Sequence, residues 1–470
     1  MSKKEKSDLD PEAIAPAQFP GDPVLAEKTI EHDAVFGEIT ESGPNYRNVG
    51  WLGTMVLMMK TQMGLGILSL PMAFHSLGLI PGIIILLTIA TITTWSDWMI
   101  GVFKLRHPHV YGIDDVGRML FGPIGYEVFG ATFCLFLIFV AGSAILSISI
   151  AFNALSTHAV CTAIFVLIAA IIGFIFSSIE TLGRISWLAW VGAGSIIVSV
   201  FIVTIGVGVQ GHPPVQKDGL IPTSDYKLFN NPSFTEAISA VSTIVFAYCG
   251  TPAFFNIVSE MREPQKYSRA LFLSQGIVTT VYIIIGVVIY YYCGSYVASP
   301  ALGSAGRLLE KVSYGIALPG LIASMVIYLH LSAKHVFIRF LRGTEHLSTH
   351  TPLHWIAWFA STFGATLVAY VIASGIPVFS SLVSLIGALL GTFLCFQPMG
   401  CMWLYDNWKV GKSERTMTWK LGLGWSLFVI ISGTFLMIAG TYGSVVAIID
   451  SYNEDGGTGA WSCADNSGSS

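Results

Sequence analysis

A chain of 470 residues that is 53% hydrophobic and only 11% charged, with a formal net charge of −4, lies far from a soluble domain, where about 25% of residues are charged. This composition excludes a soluble enzyme and a basic nucleic-acid interface. It points to an all-α polytopic membrane protein whose constant partner is the lipid bilayer, with no nucleic acid.

Residues 1–48 carry ten acidic and five basic side chains and no apolar stretch, so they read as a disordered cytosolic tail open to regulators rather than a signal peptide. Apolar windows of about 20 residues then place eleven transmembrane helices. Their limits are 51–75, 78–103, 126–152, 158–176, 186–209, 235–260, 270–294, 312–338, 354–374, 377–404 and 421–449. With the N-terminus in the cytosol, the inner segments hold 19 Lys and Arg and the outer ones four, Lys217, Lys227, Arg307 and Lys311. That asymmetry sets the orientation and leaves the 450–470 tail, which has no Lys or Arg, outside. The seven cysteines form no CxxC and no metal-ligand spacing, so no metal or cofactor is expected. Cys463, beyond the last span, is placed to pair outside the membrane.

Two spans cannot be continuous helices. Met63-Gly64-Leu65-Gly66 interrupts the first, with Pro71 following, and Tyr248-Cys249-Gly250-Thr251-Pro252 interrupts the sixth. Gly64 lies 13 residues after Trp51, and Tyr248 lies 13 after Thr235. Matching breaks point to a transporter's substrate site, because unpaired backbone in hydrocarbon must line a cavity or face protein. Five spans per half would invert the second repeat relative to the first. The chain divides into a 51–209 repeat, a 235–404 repeat and an extra helix over 421–449.

Local motifs fit this frame. Gly64-Leu65-Gly66-Ile67-Leu68-Ser69-Leu70-Pro71-Met72-Ala73, Phe246-Ala247-Tyr248-Cys249-Gly250 and the exit Glu260-Met261-Arg262-Glu263-Pro264 resemble the amino acid/auxin permease family over roughly 48–449. The resemblance implies a LeuT-type fold, a plasma-membrane or vacuolar location, and proton- or sodium-coupled uptake of amino acids.

In that reading, the N–H groups at Gly64, Leu65 and Gly66 hold the substrate carboxylate. The carbonyls of Phe246 and Ala247 accept from its ammonium, and Phe246 and Tyr248 are candidates to line the side-chain pocket. Span three around Phe139-Val140-Ala141-Gly142-Ser143 and the middle of span ten carry no acid or base, so a neutral aliphatic or aromatic amino acid is expected. Two ionisable groups lie well inside: Lys60, nine residues from Trp51, and His330, nine from Arg339. Both sit about 13 Å above the inner boundary. In sodium-coupled LeuT-type relatives the corresponding positions are typically Asn and Thr. Cations here disfavour sodium and favour proton exchange on Lys60, His330 or both. Glu260 and Arg262 are candidates for a cytosolic gate, and Asp97, between Trp95 and Trp98, reads as an interfacial anchor.

The expected function is a proton-coupled symporter importing neutral aliphatic and aromatic amino acids across the plasma membrane. An amino-acid sensor and a vacuolar exporter are the alternatives. A channel lacks a visible ring of charges or carbonyls, and the spans show no enzymatic constellation.

Overall fold

The computed structural model describes residues 31–33, 37–39, 49–179, 186–214, 221–341, 344, 346, 351–409, 416–453 and 459–467. The rest of the 1–48 tail, together with Arg184 and Lys217, lies outside the described residues. Within that tail, Glu31–Asp33 pairs antiparallel with Gly37–Ile39, where no structure was expected. A short connection lets two strands fold back locally.

Among the described residues the helices that follow group into eleven segments. Segment one comprises Trp51–Gln62, the 3-10 turn Leu65–Leu68 and Leu70–Leu77. Segments two to five are Leu79–Arg106, Ile113–Ser156, Thr162–Ser177 and Ser186–Gln210. Segment six comprises Phe234–Ala247 and Thr251–Ser259. Segments seven to eleven are Tyr267–Cys293, Arg307–Leu341, Pro352–Gly375, Phe379–Asn407 and Met417–Asn453. Among the described residues nine helices are long and apolar enough to cross a membrane; segment four is shorter, and segment one is divided.

The breaks have local causes. Pro71 and Pro252 stand in the first turn of the helices that resume after each break, where a missing N–H costs nothing. Segment six starts on a capping box, Ser233 accepting from the Glu236 N–H (3.3 Å) and donating its own N–H to the Glu236 carboxylate (2.8 Å). Segment three starts earlier than expected, at Ile113, and bends at Gly122, whose φ of 71° precedes Pro123. Proline pushes its predecessor out of the helical region, and glycine accepts the left-handed angle. Segment ten contains a π turn, Ile386–Gly391, and is interrupted at Phe396 ahead of Pro398; neither was read from sequence.

Packing sorts the segments into two groups. Segments three, four, eight and nine pack on one another, with five against eight; segments one, two, six and seven form the second group. Between them runs the cavity described below. Large apolar side chains such as Ile84, Ile175, Ile205, Ile356, Ile431 and Ile438 are exposed around the periphery, a surface that suits lipid and not water.

Cys463 bonds to Cys161 at the start of segment four, with Cα atoms 4.4 Å apart. The 459–467 strand is further held by Thr162 Oγ1 donating to the Ala464 carbonyl (2.6 Å), Asn153 Nδ2 to Asn466 Oδ1 (2.7 Å) and the Trp461 N–H to the Ser374 carbonyl (3.1 Å). The disulfide closes a sequence separation of 302 residues, for which removal costs about 2–5 kcal/mol. Cys161→Ser is therefore expected to lower the thermal midpoint of the purified protein while sparing uptake. An unchanged midpoint in the variant would show that the tail is not tied.

Candidate substrate site

A cavity of about 620 Å³ opens between the two groups of segments and reaches both breaks. Segment one contributes Lys60, Thr61, Met63, Gly64 and Leu65; segment six contributes Cys249, Gly250, Pro252, Ala253 and Asn256. The opposite wall is largely apolar: Phe133, Phe136 and Leu137 from segment three, Gly192, Ala193 and Ile196 from five, and Ala323, Ile327, Tyr328 and Leu331 from eight. Tyr111, Glu260, Lys334 and Ile338 line the end of the cavity at the Lys- and Arg-rich side of the protein.

The break in segment one supplies donors. The Met63 N–H bonds the Met59 carbonyl (2.7 Å) and the Gly64 N–H the Gln62 carbonyl (2.8 Å). Leu65 and Gly66 then open a new 3-10 turn, whose first N–H groups have no carbonyl one turn back. A Cβ on Gly64 would meet nothing within 4 Å and would stand in open space, so glycine keeps the backbone approachable there. Gly66 does a different job. A Cβ on it would lie 2.5 Å from Ala247 Cα, so it is the point where the two broken segments touch. The contact is reciprocated by Gly250, whose Cβ would lie 2.8 Å from both Gln62 Cγ and Thr61 Oγ1.

The structure redistributes the expected roles. Gly64 and Leu65 line the cavity, while Gly66 is turned to segment six. Phe246, Ala247 and Tyr248 do not line it. Phe246 packs under Gly387 of the π turn. The Ala247 carbonyl accepts from Tyr282 Oη (2.8 Å), which also reaches the Gln62 carbonyl (2.8 Å), and Tyr248 donates to Thr279 Oγ1 (3.0 Å). The Ala247 carbonyl freed at the second break is thus satisfied from segment seven, as a buried backbone requires, and the same hydroxyl ties it to the Gln62 carbonyl at the first. Tyr282 carried no sequence signal, because its partners come together only when segments one, six and seven pack.

Lys60 lies in the cavity, with no ion-pair partner among the described residues. His330 does not share that space. Its Nδ1 lies 3.3 Å from the Ser177 carbonyl and its ring packs edge-on to Trp358. Segment eight turns Ser324, Ile327, Tyr328, Leu331, Lys334, His335 and Ile338 to the cavity, a stripe spaced by three and four residues, and His330 falls off it. Lys334 lines the same end of the cavity as Glu260 and acts on its carboxyl. The Arg262 backbone N–H bonds the Val49 carbonyl (2.9 Å), and the Val49 N–H the Glu260 carbonyl (3.3 Å). From segment three the wall uses Phe133, Phe136 and Leu137, whereas Gly142 packs on Ala369 of segment nine. Asp97 is fully buried, not interfacial.

Residues 47–446 match the family described as transmembrane amino acid transporter protein. The chain belongs to this family. Among its relatives within curated proteins, a "Transmembrane transporter" of Gibberella moniliformis is 32% identical over 449 residues, covering 93% of this chain and 92% of the other. The "N amino acid transport system protein" of Neurospora crassa is 31% identical over 470 residues, covering 98% and 99%. In fold, this amino acid transporter family member is similar to a nucleobase-cation-symport-1 family transporter solved in a closed conformation, with a TM-score of 0.53, 13% identity and coverage of 87% and 93%. The helical, paired-break architecture of residues 49–453 is that of the LeuT-type fold.

Proposed function

We propose that this protein is a proton-coupled symporter that imports neutral aliphatic and aromatic amino acids across the plasma membrane by alternating access. The observation that carries this reading is one cavity that reaches the start of the 3-10 turn at Gly64 and Leu65 and is walled largely by apolar side chains. The N–H groups at Leu65, beside Gly64, suit a carboxylate. The wall of Phe133, Phe136, Leu137, Ile196 and Ile327 suits an uncharged side chain, since a charged one would be desolvated there without a partner. Acceptors for the substrate ammonium would come from the cavity-facing part of segment six, with Asn256 nearest in chemistry, rather than from Phe246 or Ala247.

We read eleven membrane crossings, with the N-tail cytosolic and the C-tail external. The disulfide at the end opposite the basic residues supports that orientation, because disulfides persist in oxidising compartments. The cavity then faces the cytosol, in an inward-facing shape. The N-tail remains the place for cytosolic regulators.

Lys60 supports the proton reading. An ammonium beside the break repels sodium from the space where a coupling cation would sit, and intramembrane ionisable groups default to functional roles. The test is uptake of labelled phenylalanine by Lys60→Ala and unmodified protein at about pH 5.5 and about pH 7.5, with and without sodium and a protonophore. Unmodified protein is expected to be faster at acid pH, indifferent to sodium and silenced by the protonophore. Lys60→Ala is expected to lose the acid-driven component while reaching the membrane. An unchanged pH profile in the variant would remove Lys60 from coupling, and sodium dependence of the unmodified protein would replace the proton.

A further inference from the structure

On the far side of the segment-six break from the cavity lies a sealed polar cluster that substrate binding does not use. Asp97 of segment two is 0% exposed. Its Oδ2 accepts from Gln275 Nε2 of segment seven at 2.6 Å, and its backbone carbonyl accepts from Tyr267 Oη at 2.8 Å. The Thr251 hydroxyl, on the first residue of the inner half of segment six, faces the same carboxyl. Four buried atoms here have no hydrogen-bond partner: Asp97 Oδ1, Gln275 Oε1, Thr251 Oγ1 and Ser96 Oγ.

Segment seven turns Tyr267 toward this carboxyl, and segment six turns Cys249, with Cys395 of segment ten behind that thiol. Asp406 of segment ten is engaged by Arg106 (3.0 Å) and His107 (2.8 Å) further along segment two. Lys60 is in the cavity, across the break. No basic group among those facing Asp97 compensates a negative charge. A carboxylate shut away from water without a cation is the least favourable arrangement of this group, whereas a carboxylic acid needs only one acceptor for its O–H, and Thr251 Oγ1 and Gln275 Oε1 are both buried acceptors left without a donor.

We infer that Asp97 is a proton-binding site that couples protonation to the position of the inner half of segment six. The juxtaposition is tight in sequence: Cys249 and Gly250 line the substrate cavity, and the next residue, Thr251, meets Asp97. With the proton on, the acid turns its O–H to the Thr251 or Gln275 acceptor while segments two, six and seven stay closed over it. Release of the proton to water requires Thr251–Ser259 to draw away and admit solvent, which also moves the cavity wall. The same displacement therefore links the proton step to the shape of the substrate cavity.

This inference rests on the proton-coupled reading but not on Lys60. The test is Asp97→Asn, which imitates the neutral acid, assayed for pH-driven accumulation and for counterflow exchange of labelled substrate. Counterflow is expected to persist within about twofold of the unmodified protein. Accumulation is expected to lose its response to pH, giving a flat profile. Retained acid-driven accumulation in Asp97→Asn would overturn the site, and so would loss of counterflow in protein that reaches the surface, since that outcome marks a packing role. If Asp97→Asn fails to reach the surface, Thr251→Val gives the second reading, with loss of pH response expected and an unaltered profile contradicting it. Unmodified protein that ignores pH and protonophore removes the proton reading itself, and the site with it.

Discussion

Valine at Gly66 is expected to abolish uptake by protein that still reaches the membrane, and alanine to reduce it by about tenfold or more. A Cβ at this position would sit 2.5 Å from Ala247 Cα and 3.3 Å from its N, a contact with backbone that no rotamer change can relieve. Overpacking of this kind costs about 1–3 kcal/mol. It falls at the crossing where the halves of segments one and six must stay in register as the cavity opens and closes. Gly64→Ala provides the contrast, because its Cβ meets nothing within 4 Å. That variant should fold normally and show its defect in substrate affinity. Surface labelling together with initial-rate uptake separates the two, and wild-type rates in Gly66→Val would remove the crossing from the account.

Tyr282→Phe is expected to be the second severe change. One hydroxyl lies 2.8 Å from both the Gln62 and the Ala247 carbonyls, the last residues of the helices that stop at each break, and the side chain is fully buried. Its loss leaves the buried Ala247 carbonyl without a donor, at about 1–3 kcal/mol, and takes from the Gln62 carbonyl its only partner besides the Gly64 N–H. Both breaks loosen together, so uptake should fall by about tenfold or more and the thermal midpoint should drop. Tyr248→Phe, which loses only the bond to Thr279, should be milder on both measures. Equal effects of the two substitutions would mean that Tyr282 acts by packing alone.

The frame of the molecule is visible in the chain because bilayer length, glycine, proline and the Lys/Arg bias act locally. The helix interruptions fall at Met63–Gly64 and Tyr248–Gly250 as read. Which atoms face the substrate is less legible, because helix phase is set by partners far away in sequence. Phe246 and Ala247 follow the motif yet turn to Gly387 and Gly66, while Asn256 and Phe136 reach the cavity. His330 and Lys60 share a depth, but depth does not fix azimuth, and His330 belongs to the interface with Ser177 and Trp358. Asp97 looked interfacial because Trp95 and Trp98 flank it. Segment seven and the inner half of segment six cover it instead, a tertiary fact that no neighbouring residue announces.

The bonds of the 459–467 strand described above, to Cys161, Asn153, Thr162 and Ser374, all fall on segments three, four and nine. They stay on one side of the seam that the cavity follows. Under the alternating-access reading proposed above, the strand is a girth rather than a latch: it tightens one group of segments without adding drag to motion of the other against it. A cysteine bridge moved across the seam, from this strand to segment one or six, would convert the same chemistry into a brake.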